Sequence, residues 1–558
     1  MNSPDAPHDA ERPLDTALVN GTVYTADGAR RVAQAAGLSG GRIVALGSDD
    51  DVHRLCGPST RVIDLLGRLV LPGFIDSHAH ASETVGEVFG VRLKGLRSID
   101  EYVAAVRRFA AEHPELAVVR GSGWSNVVAP GRGPTAAALD AAVADRPALL
   151  VSEDGHSLWA NTLALRTAGV GPDTPDPANG VIERDPETGR PTGTLREAAE
   201  HLVLESIPPF TREQCAAGIR HFQREVAGPL GMTTVFDPML VAGDPIFAAF
   251  EDLQDSGELT VRFRAGLWLR SDLPLDEQLG AAREERARHG GALFQAGAVK
   301  LFADGVIEGH TAYLDEPYAD TPGDRGFPEW PAAALDAASV AAAAEGFELH
   351  YHAIGDAGTA MALDAIAAVR AAGITGGRPA ITHVQMTRRG DIERFADLGV
   401  TAVLNPYWFL KDDYFYDLQV PYLGRERAEH EYPMRSFFAA GVPVASASDY
   451  PVTVPPDPLT GIQVGVMRWF AGEAAPGDVL WPQECVTVAQ MIDSFTIGGA
   501  RAHGLETETG SLEPGKSADL IVLDTNILTA APDEIGAAKV LLTVFRGDEI
   551  YRDEAFGA

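Results

Sequence analysis

The sequence predicts an α/β protein: a (β/α)8 barrel of the TIM type carrying a small β-sandwich formed by both chain termini. Three observations carry that expectation. From about residue 71 to 503, short apolar runs ending in polar residues alternate with Ala-rich helical stretches. Alternation of this kind predicts parallel strands, and about eight of them close a barrel of ~250 residues. The two ends of the chain differ, with short apolar runs broken by turn residues. Finally, histidine, lysine and aspartate recur where the predicted strands of the middle region end, the position at which barrels of this type place their chemistry.

The elements follow in order. Residues 1–14 form a flexible tail, rich in Asp, Pro and Ala as far as Arg12. Residues 15–70 hold the runs ALVNGTVYTADG, LSGGRIVALGSDD and TRVIDLLGRLVLPG. Asn20-Gly21 and Gly40-Gly41 are hairpin-forming pairs, so the segment reads as a small antiparallel sheet. The same texture returns over residues 504–558, in EPGKSADLIVLD and KVLLTVFRGDEIY. Two β-rich ends around a long middle predict one discontinuous domain.

Between them, residues 71–503 carry the strand runs LVLPGFIDSHAH, AVVRGSGW, ALLVSEDGH, MTTVFDP, TVRFRAGLWL, GAVKLFADG, FELHYHAIGD, PAITHVQM, VTAVLNPYW and VPVASASDYP. This exceeds a minimal barrel, so an insertion is expected at about residues 82–231, including the Gly/Pro-rich stretch 169–194.

Composition narrows the function. A chain of 558 residues with 45% hydrophobic and 22% charged residues is a folded globular protein, expected to hold two or more domains or one large barrel with additions. Its net charge of −34 repels phosphate backbones and anionic membrane surfaces, so nucleic acid and membranes are not expected partners. No run reaches the ~20 apolar residues of a spanning helix, and the start lacks a basic, apolar leader; a cytoplasmic location is expected. The three cysteines, Cys56, Cys215 and Cys485, form no CxxC pair and read as inert thiols. No Walker loop, no GxGxxG after a strand and no GxSxG elbow is present, which argues against nucleotide cofactors and a serine nucleophile.

The strand-end residues are His78, His80, Lys300, His352, His383 and Asp449. Residues i and i+2 of a strand point the same way, so His78 and His80 can grip one ion from a single strand end. Imidazole suits zinc and similar transition metals. A single strand-end histidine is more often structural than a ligand. The ordered conjunction of PGFIDSHAH with later strand-end Lys, His, His and Asp is not what packing alone produces, and it points to a divalent metal, zinc by preference, as one or two ions.

The set PGFIDSHAH, VKLFADG, YHAIGD, ITHVQ and SASDYPV resembles the amidohydrolase superfamily of metal-dependent hydrolases. The further motifs VRGSGW, DGHSLWANTLAL, PTGTLREAA, DGVIEGHTAYL and HAIGDAG resemble its YtcJ-like branch, which includes N-substituted formamide deformylases. The resemblance runs from about Asp15 to Tyr551. It implies that His78 and His80 bind the more buried metal and His352 and His383 the more exposed one. Asp449 would ligate and act as the acid/base. Lys300 occupies the strand position where many members carry a lysine carboxylated by CO2; the plain ammonium alternative is an ion pair with Asp304 or Asp449. The implied activity is hydrolysis of a C–N bond in an amide-like small molecule, an N-substituted formamide foremost. The alternatives are a cyclic amide hydrolase, a deaminase, or a non-catalytic regulator retaining the fold. Deaminases of this superfamily typically carry an HxxE after strand five, where this chain reads HYHAIGD. Homodimers are common in the superfamily, and a homodimer stays open as an alternative.

Four further residues are candidates for substrate binding. His156 follows a strand and is placed to meet a substrate oxygen. Glu197, in GTLREAA, reads as the start of a helical stretch, where it either lines the site or favours the positive helix end. Trp124 and Trp408, with Trp159 and Tyr407, either wall the pocket or pack the core. His350 is a partner behind a ligand or simply buried. Asp304 and Asp356 either orient a histidine or, by preference, cap the next helix.

Overall fold

The computed structural model describes residues 13–472, 475 and 477–556. The expected tail lies outside them apart from Pro13 and Leu14, and Leu14 is buried, its N–H donating to the Leu55 carbonyl at 3.2 Å.

Eight parallel strands form the barrel: β1 (Phe74–Asp76), β2 (Met232–Leu240), β3 (Arg262–Trp268), β4 (Phe294–Phe302), β5 (Glu348–Ala353), β6 (Ala380–His383), β7 (Thr401–Leu404) and β8 (Val444–Ser446). They lie in sequence order around the sheet, as right-handed β-helix-β connections require. Ser77 N donates to Ser446 O at 3.2 Å and draws β1 to β8, immediately before His78. Val299, Leu301, Tyr351 and Ile381 are fully buried on the outer side of the cylinder, where Tyr351 Oη donates to Ser339 Oγ of the helix Ala332–Ala344 at 2.6 Å. The outer helices start where the sequence supplies caps: Asp244 accepts from Ile246 N at 3.0 Å ahead of Pro245–Asp255. Alanine dominates the buried face of Asp356–Ala371, which lets that helix lie close to the strands.

The long β1–β2 connection folds as a six-stranded sheet of its own, in the order Gly180–Arg184, Pro191–Glu197, Ser157–Ala160, Ala148–Ser152, Val119–Trp124, Val91–Arg92. The runs AVVRGSGW and ALLVSEDGH therefore belong to this sheet and not to the barrel alternation. Parallel pairing of Val119–Trp124 with Ala148–Ser152 gives them the same strand-then-helix texture.

The terminal segments build two further sheets. One contains Arg42–Gly47, Ala35–Ser39, Thr16–Val19 and Arg61–Asp64; the other contains Asp548–Arg552, Val540–Phe545, Leu520–Leu523, Leu69–Pro72, Thr22–Tyr24 and Val32–Ala33. Leu18, Val23, Val70, Leu520, Val522 and Leu542 are fully buried in their shared core. Two details differ from the sequence expectation. Gly40-Gly41 does turn a hairpin, with φ of 59° and 77°. Asn20-Gly21 does not: Thr16–Val19 pairs with Ala35–Ser39 and, in parallel, with Arg61–Asp64, while Thr22–Tyr24 enters the other sheet. A Cβ at Gly21 would meet Leu65 Cδ1 at 2.3 Å, so the glycine serves a close crossing between sheets, and the N-terminal sheet is mixed rather than antiparallel.

Candidate metal centre and active site

Parallel strands all end on one face, so residues far apart in sequence meet at a single mouth. His78 and His80 follow β1, Lys300 lies near the end of β4, His352 in β5, His383 closes β6 and Asp449 follows β8. All six line one cavity of about 1210 Å³, walled by the strand ends and by the β1–β2 insertion.

The tightest group is His78, His383 and Asp449, whose donor atoms all lie within 4.8 Å of one another. Asp449 Oδ1 stands 3.2 Å from Nε2 of both His78 and His80. The ring centroid of His383 is 5.1 Å from that of His78 and 4.6 Å from that of His352, so it sits between the two halves of the cluster. Lys300 Nζ lies 3.3 Å from His78 Nε2, and neither ion pair expected for a plain ammonium, with Asp304 or with Asp449, is formed.

Three of the imidazoles have one ring nitrogen held by a neighbour. His78 Nδ1 is 2.8 Å from His350 Nε2, His383 Nδ1 is 2.9 Å from Asn405 Oδ1, and His352 Nε2 donates to the Gly305 carbonyl at 3.0 Å. Such outer contacts fix ring orientation in metal sites. Burial pushes His78, His350 and His352 well below the usual imidazole range and His383 down to about 4, so these rings are neutral with free lone pairs. His80 goes the other way: burial lowers it, but the carboxylates of Glu83 and Asp449 outweigh that. Burial alone would raise Asp449, and the His78 and His80 imidazoles instead hold it well below the carboxylate range. Burial brings Lys300 down to about 7.

These residues fit a divalent ion. Asp449 Oδ1 is buried and accepts no well-formed hydrogen bond, although two imidazole nitrogens approach it. Nε2 of His78 and Nε2 of His80 converge on this one carboxylate oxygen at 3.2 Å, and mixed N/O donors at a single point suit zinc and its neighbours. The backbone is also strained here, with φ of 71° at His383 and 58° at Asp449. Non-glycine residues in that region cost about 1–3 kcal/mol each and cluster at functional sites.

A second constellation comes from the insertion. His156 Nδ1 lies 2.9 Å from Glu197 Oε2, and Thr311 Oγ1 donates to Glu197 Oε1 at 2.5 Å. The His156 ring is 5.2 Å from that of His352. Burial lowers the His156 imidazole, but the Glu197 carboxylate overrides it and keeps the ring protonated up to about 10. Glu197 ends the strand Pro191–Glu197 with φ 48° and stands at the N-cap of the helical turn Ala198–Glu200, so a helical stretch does start there; GTLRE before it is strand because its residues pair with Gly180–Arg184 and Ser157–Ala160.

The aromatic candidates separate. Trp408 adjoins the centre, stacked on His383 at 5.4 Å. Trp124 is fully buried in the core of the insertion, its Nε1 donating to Leu150 O at 3.0 Å, and does not wall the pocket. Trp159 likewise donates inward, to Thr135 O at 2.8 Å, and Tyr407 is buried with its hydroxyl 3.3 Å from Pro456 O. Asp304 accepts from the N–H groups of Tyr313, Ile354 and Gly355, at 2.8, 3.0 and 2.8 Å, so it pins the loops after β4 and β5 and neither orients a histidine nor caps the segment that follows it. Asp356 opens its helix and accepts from Ala357 N at 3.0 Å and Asp315 N at 2.9 Å.

Several lining residues escaped the sequence reading: Phe302, Trp268, Glu200 and, beside His383, Asn405. Phe302 was legible, because it stands two residues after Lys300 and shares its side of β4.

Comparison with known proteins agrees with this geometry. Residues 61–551 match the profile of the Amidohydrolase family. Protein LONG AFTER FAR-RED 3 of Arabidopsis thaliana is 32% identical, covering 96% of this chain and 91% of its own. N-substituted formamide deformylase of Arthrobacter pascens is 30% identical over 96% of this chain and 97% of its own. An uncharacterized metal-dependent hydrolase from Pyrococcus horikoshii OT3 superposes with a TM-score of 0.73 at 25% identity, covering 93% of this chain and 99% of that one. With a family match that spans the whole barrel and relatives alike over nearly their full lengths, this chain belongs to the amidohydrolase family.

Proposed function

We propose that the protein is a metal-dependent hydrolase that cleaves a carbon–nitrogen bond of an amide-like small molecule, with an N-substituted formamide as the leading substrate. Family membership supports hydrolysis, and the name of the Arthrobacter pascens relative supports the formamide. The observation that carries the reading is the buried Asp449 Oδ1, on which Nε2 of His78 and Nε2 of His80 converge at 3.2 Å without a well-formed hydrogen bond.

His78, His80, His352, His383 and Asp449 would hold the metal, zinc by preference, joined by Lys300 once carboxylated. That carboxylation is balanced: the neutral Nζ bonds to the carbon of CO2, one C–O π pair becomes the carboxylate charge, and a proton leaves. A bound divalent ion supplies Lewis acidity, bringing the pKa of water from 15.7 towards about 7 and polarising the carbonyl. The Asp449 carboxylate takes the water proton and delivers it to the departing nitrogen, which an amide needs because its free anion is a very poor leaving group. His156 has Nδ1 committed to Glu197, so Nε2–H is left to donate to the carbonyl oxygen as it gains charge. A non-catalytic regulator that kept the fold predicts gaps in this set, and the lining of this cavity has none.

The test is elemental analysis of the purified protein together with formate release from a panel of formamides, acyl amines and lactams. One or two equivalents of metal, with activity lost on chelation and restored by re-addition, is the expected result. Full activity in metal-free protein would overturn the reading. A mass gain of one CO2 at Lys300 checks the carboxylation.

A further inference from the structure

The cavity continues away from the metal-ligand candidates along a chain of rings. Phe302 lies 4.8 Å from His352, Trp268 lies 5.8 Å from Phe302, and His201 lies 5.0 Å from Trp268, centroid to centroid. The same stretch is lined by Glu197, Glu200 and Glu329. Two of these carboxyls are accounted for: Glu197 binds His156 and Thr311, and Glu329 Oε1 accepts from Ser271 Oγ at 3.0 Å.

Glu200 differs. It is 7% exposed, it lines the cavity, and its buried Oε1 has no hydrogen-bond partner among the described residues. Among the described residues no lining cation forms an ion pair with it: Arg270 is committed to Glu205 and Asp272, Arg120 to the Pro208 carbonyl, Lys94 to that of Val452, and the His156 imidazole, although its charge acts on Glu200, bonds to Glu197.

We propose that Glu200 receives an organic ammonium group, so that the substrate is an amide whose nitrogen substituent ends in an amine. A lone buried carboxylate in a cavity calls for a counter-charge from the ligand. A second metal does not meet that need, since among the described residues the tight triple of donors is His78, His383 and Asp449 alone. The rings offer apolar contact for a methylene linker and a π face for the ammonium. Burial, reinforced by Glu197, Asp154 and Glu83 against His156, raises the Glu200 carboxyl well above its ordinary range, so the empty site favours the neutral acid and an arriving ammonium would draw out its charge. The inference rests on the hydrolase reading only in naming the substrate an amide.

The experiment has two arms on the metal-loaded protein. Calorimetric binding of pentylammonium against pentanol tests the site without turnover. The ammonium is expected to bind at least about tenfold more tightly, and Glu200→Gln to abolish that preference. Equal binding of the two probes, or a preference that survives in Glu200→Gln, overturns the inference. In the second arm, N-(aminopentyl)formamide is expected to exceed N-(hydroxypentyl)formamide by about tenfold in kcat/KM, mostly through KM, and the ratio to collapse in Glu200→Gln. Equal turnover of both formamides overturns the ammonium site alone. Turnover of neither, with the binding preference intact, supports the ammonium site and counts against the formamide reading.

Discussion

The two ends of the barrel bury charge in opposite ways. At the N-terminal end, Arg262 opens β3 with 2% exposure, and its Nη1 lies 3.0 Å from both Asp519 Oδ2 and Thr234 Oγ1. Asp519 also accepts from Thr509 Oγ1 at 2.8 Å, Ser517 Oγ at 2.7 Å and Arg546 N at 2.9 Å, so the pair that joins barrel to sandwich is saturated. At the C-terminal end, Asp449 Oδ1 and Glu200 Oε1 are buried without a well-formed hydrogen bond, the former approached by two imidazoles alone, and Lys300 has an imidazole nitrogen and the Phe302 ring beside it. A closed set of partners marks a charge that holds the fold. A charge left over marks one kept for something absent from the chain.

Four measurements would break or sharpen that contrast. The largest effect belongs to Asp449→Asn, which should lower kcat on the order of 10³- to 10⁴-fold; because the His78 and His80 imidazoles hold the carboxylate well below its ordinary range, the metal-free variant should also lose some thermal stability at neutral pH. Activity near that of the parent would remove the proton-transfer role. Arg262→Met should do the reverse, costing about 3–5 kcal/mol in denaturant unfolding with kcat per folded molecule unchanged; a loss of activity without a loss of stability would mean the two ends are not separable. His156→Gln should reduce kcat about 10²-fold without changing metal content, since it takes one donor from the developing oxyanion. The smallest effect concerns Lys300→Met in the metal-free protein. Lys300 is lowered to about 7, so between there and ~10.5 the unfolded chain binds a proton that the folded chain does not, and parent stability falls as pH drops through that window. The variant should therefore gain stability over the parent as pH falls through that window, with the gain vanishing towards pH 10.5. A pH-independent difference would show that Lys300 is already ionised in the fold.

Much of the site was readable before any coordinates, for identifiable reasons. His78 and His80 announce themselves by the two-residue period of a strand, and Lys300, His352, His383 and Asp449 by their position at strand ends. Where sequence reasoning failed, a local signal was ambiguous. Trp124 and Trp408 both follow apolar runs, yet one faces a core and the other a histidine, because the first belongs to the insertion sheet and the second to the barrel. Asn20-Gly21 has hairpin chemistry, but the left-handed turn there sends the chain to a different sheet. At Glu197 the Ala-rich residues that follow do start a helical turn, but the strand that ends on it carries no signal of its own.

What the sequence determined by itself is periodicity: where strands and helices alternate, which residues stand at strand ends, and hence a barrel with donors at one mouth. Such patterns are local, set by the pleat of a strand and the turn of a helix. Only the tertiary structure decided which charges would be matched. Whether a buried carboxylate meets Arg262, two imidazoles or empty cavity depends on neighbours tens to hundreds of residues away, and desolvation, unlike periodicity, acts only once those neighbours have closed around it.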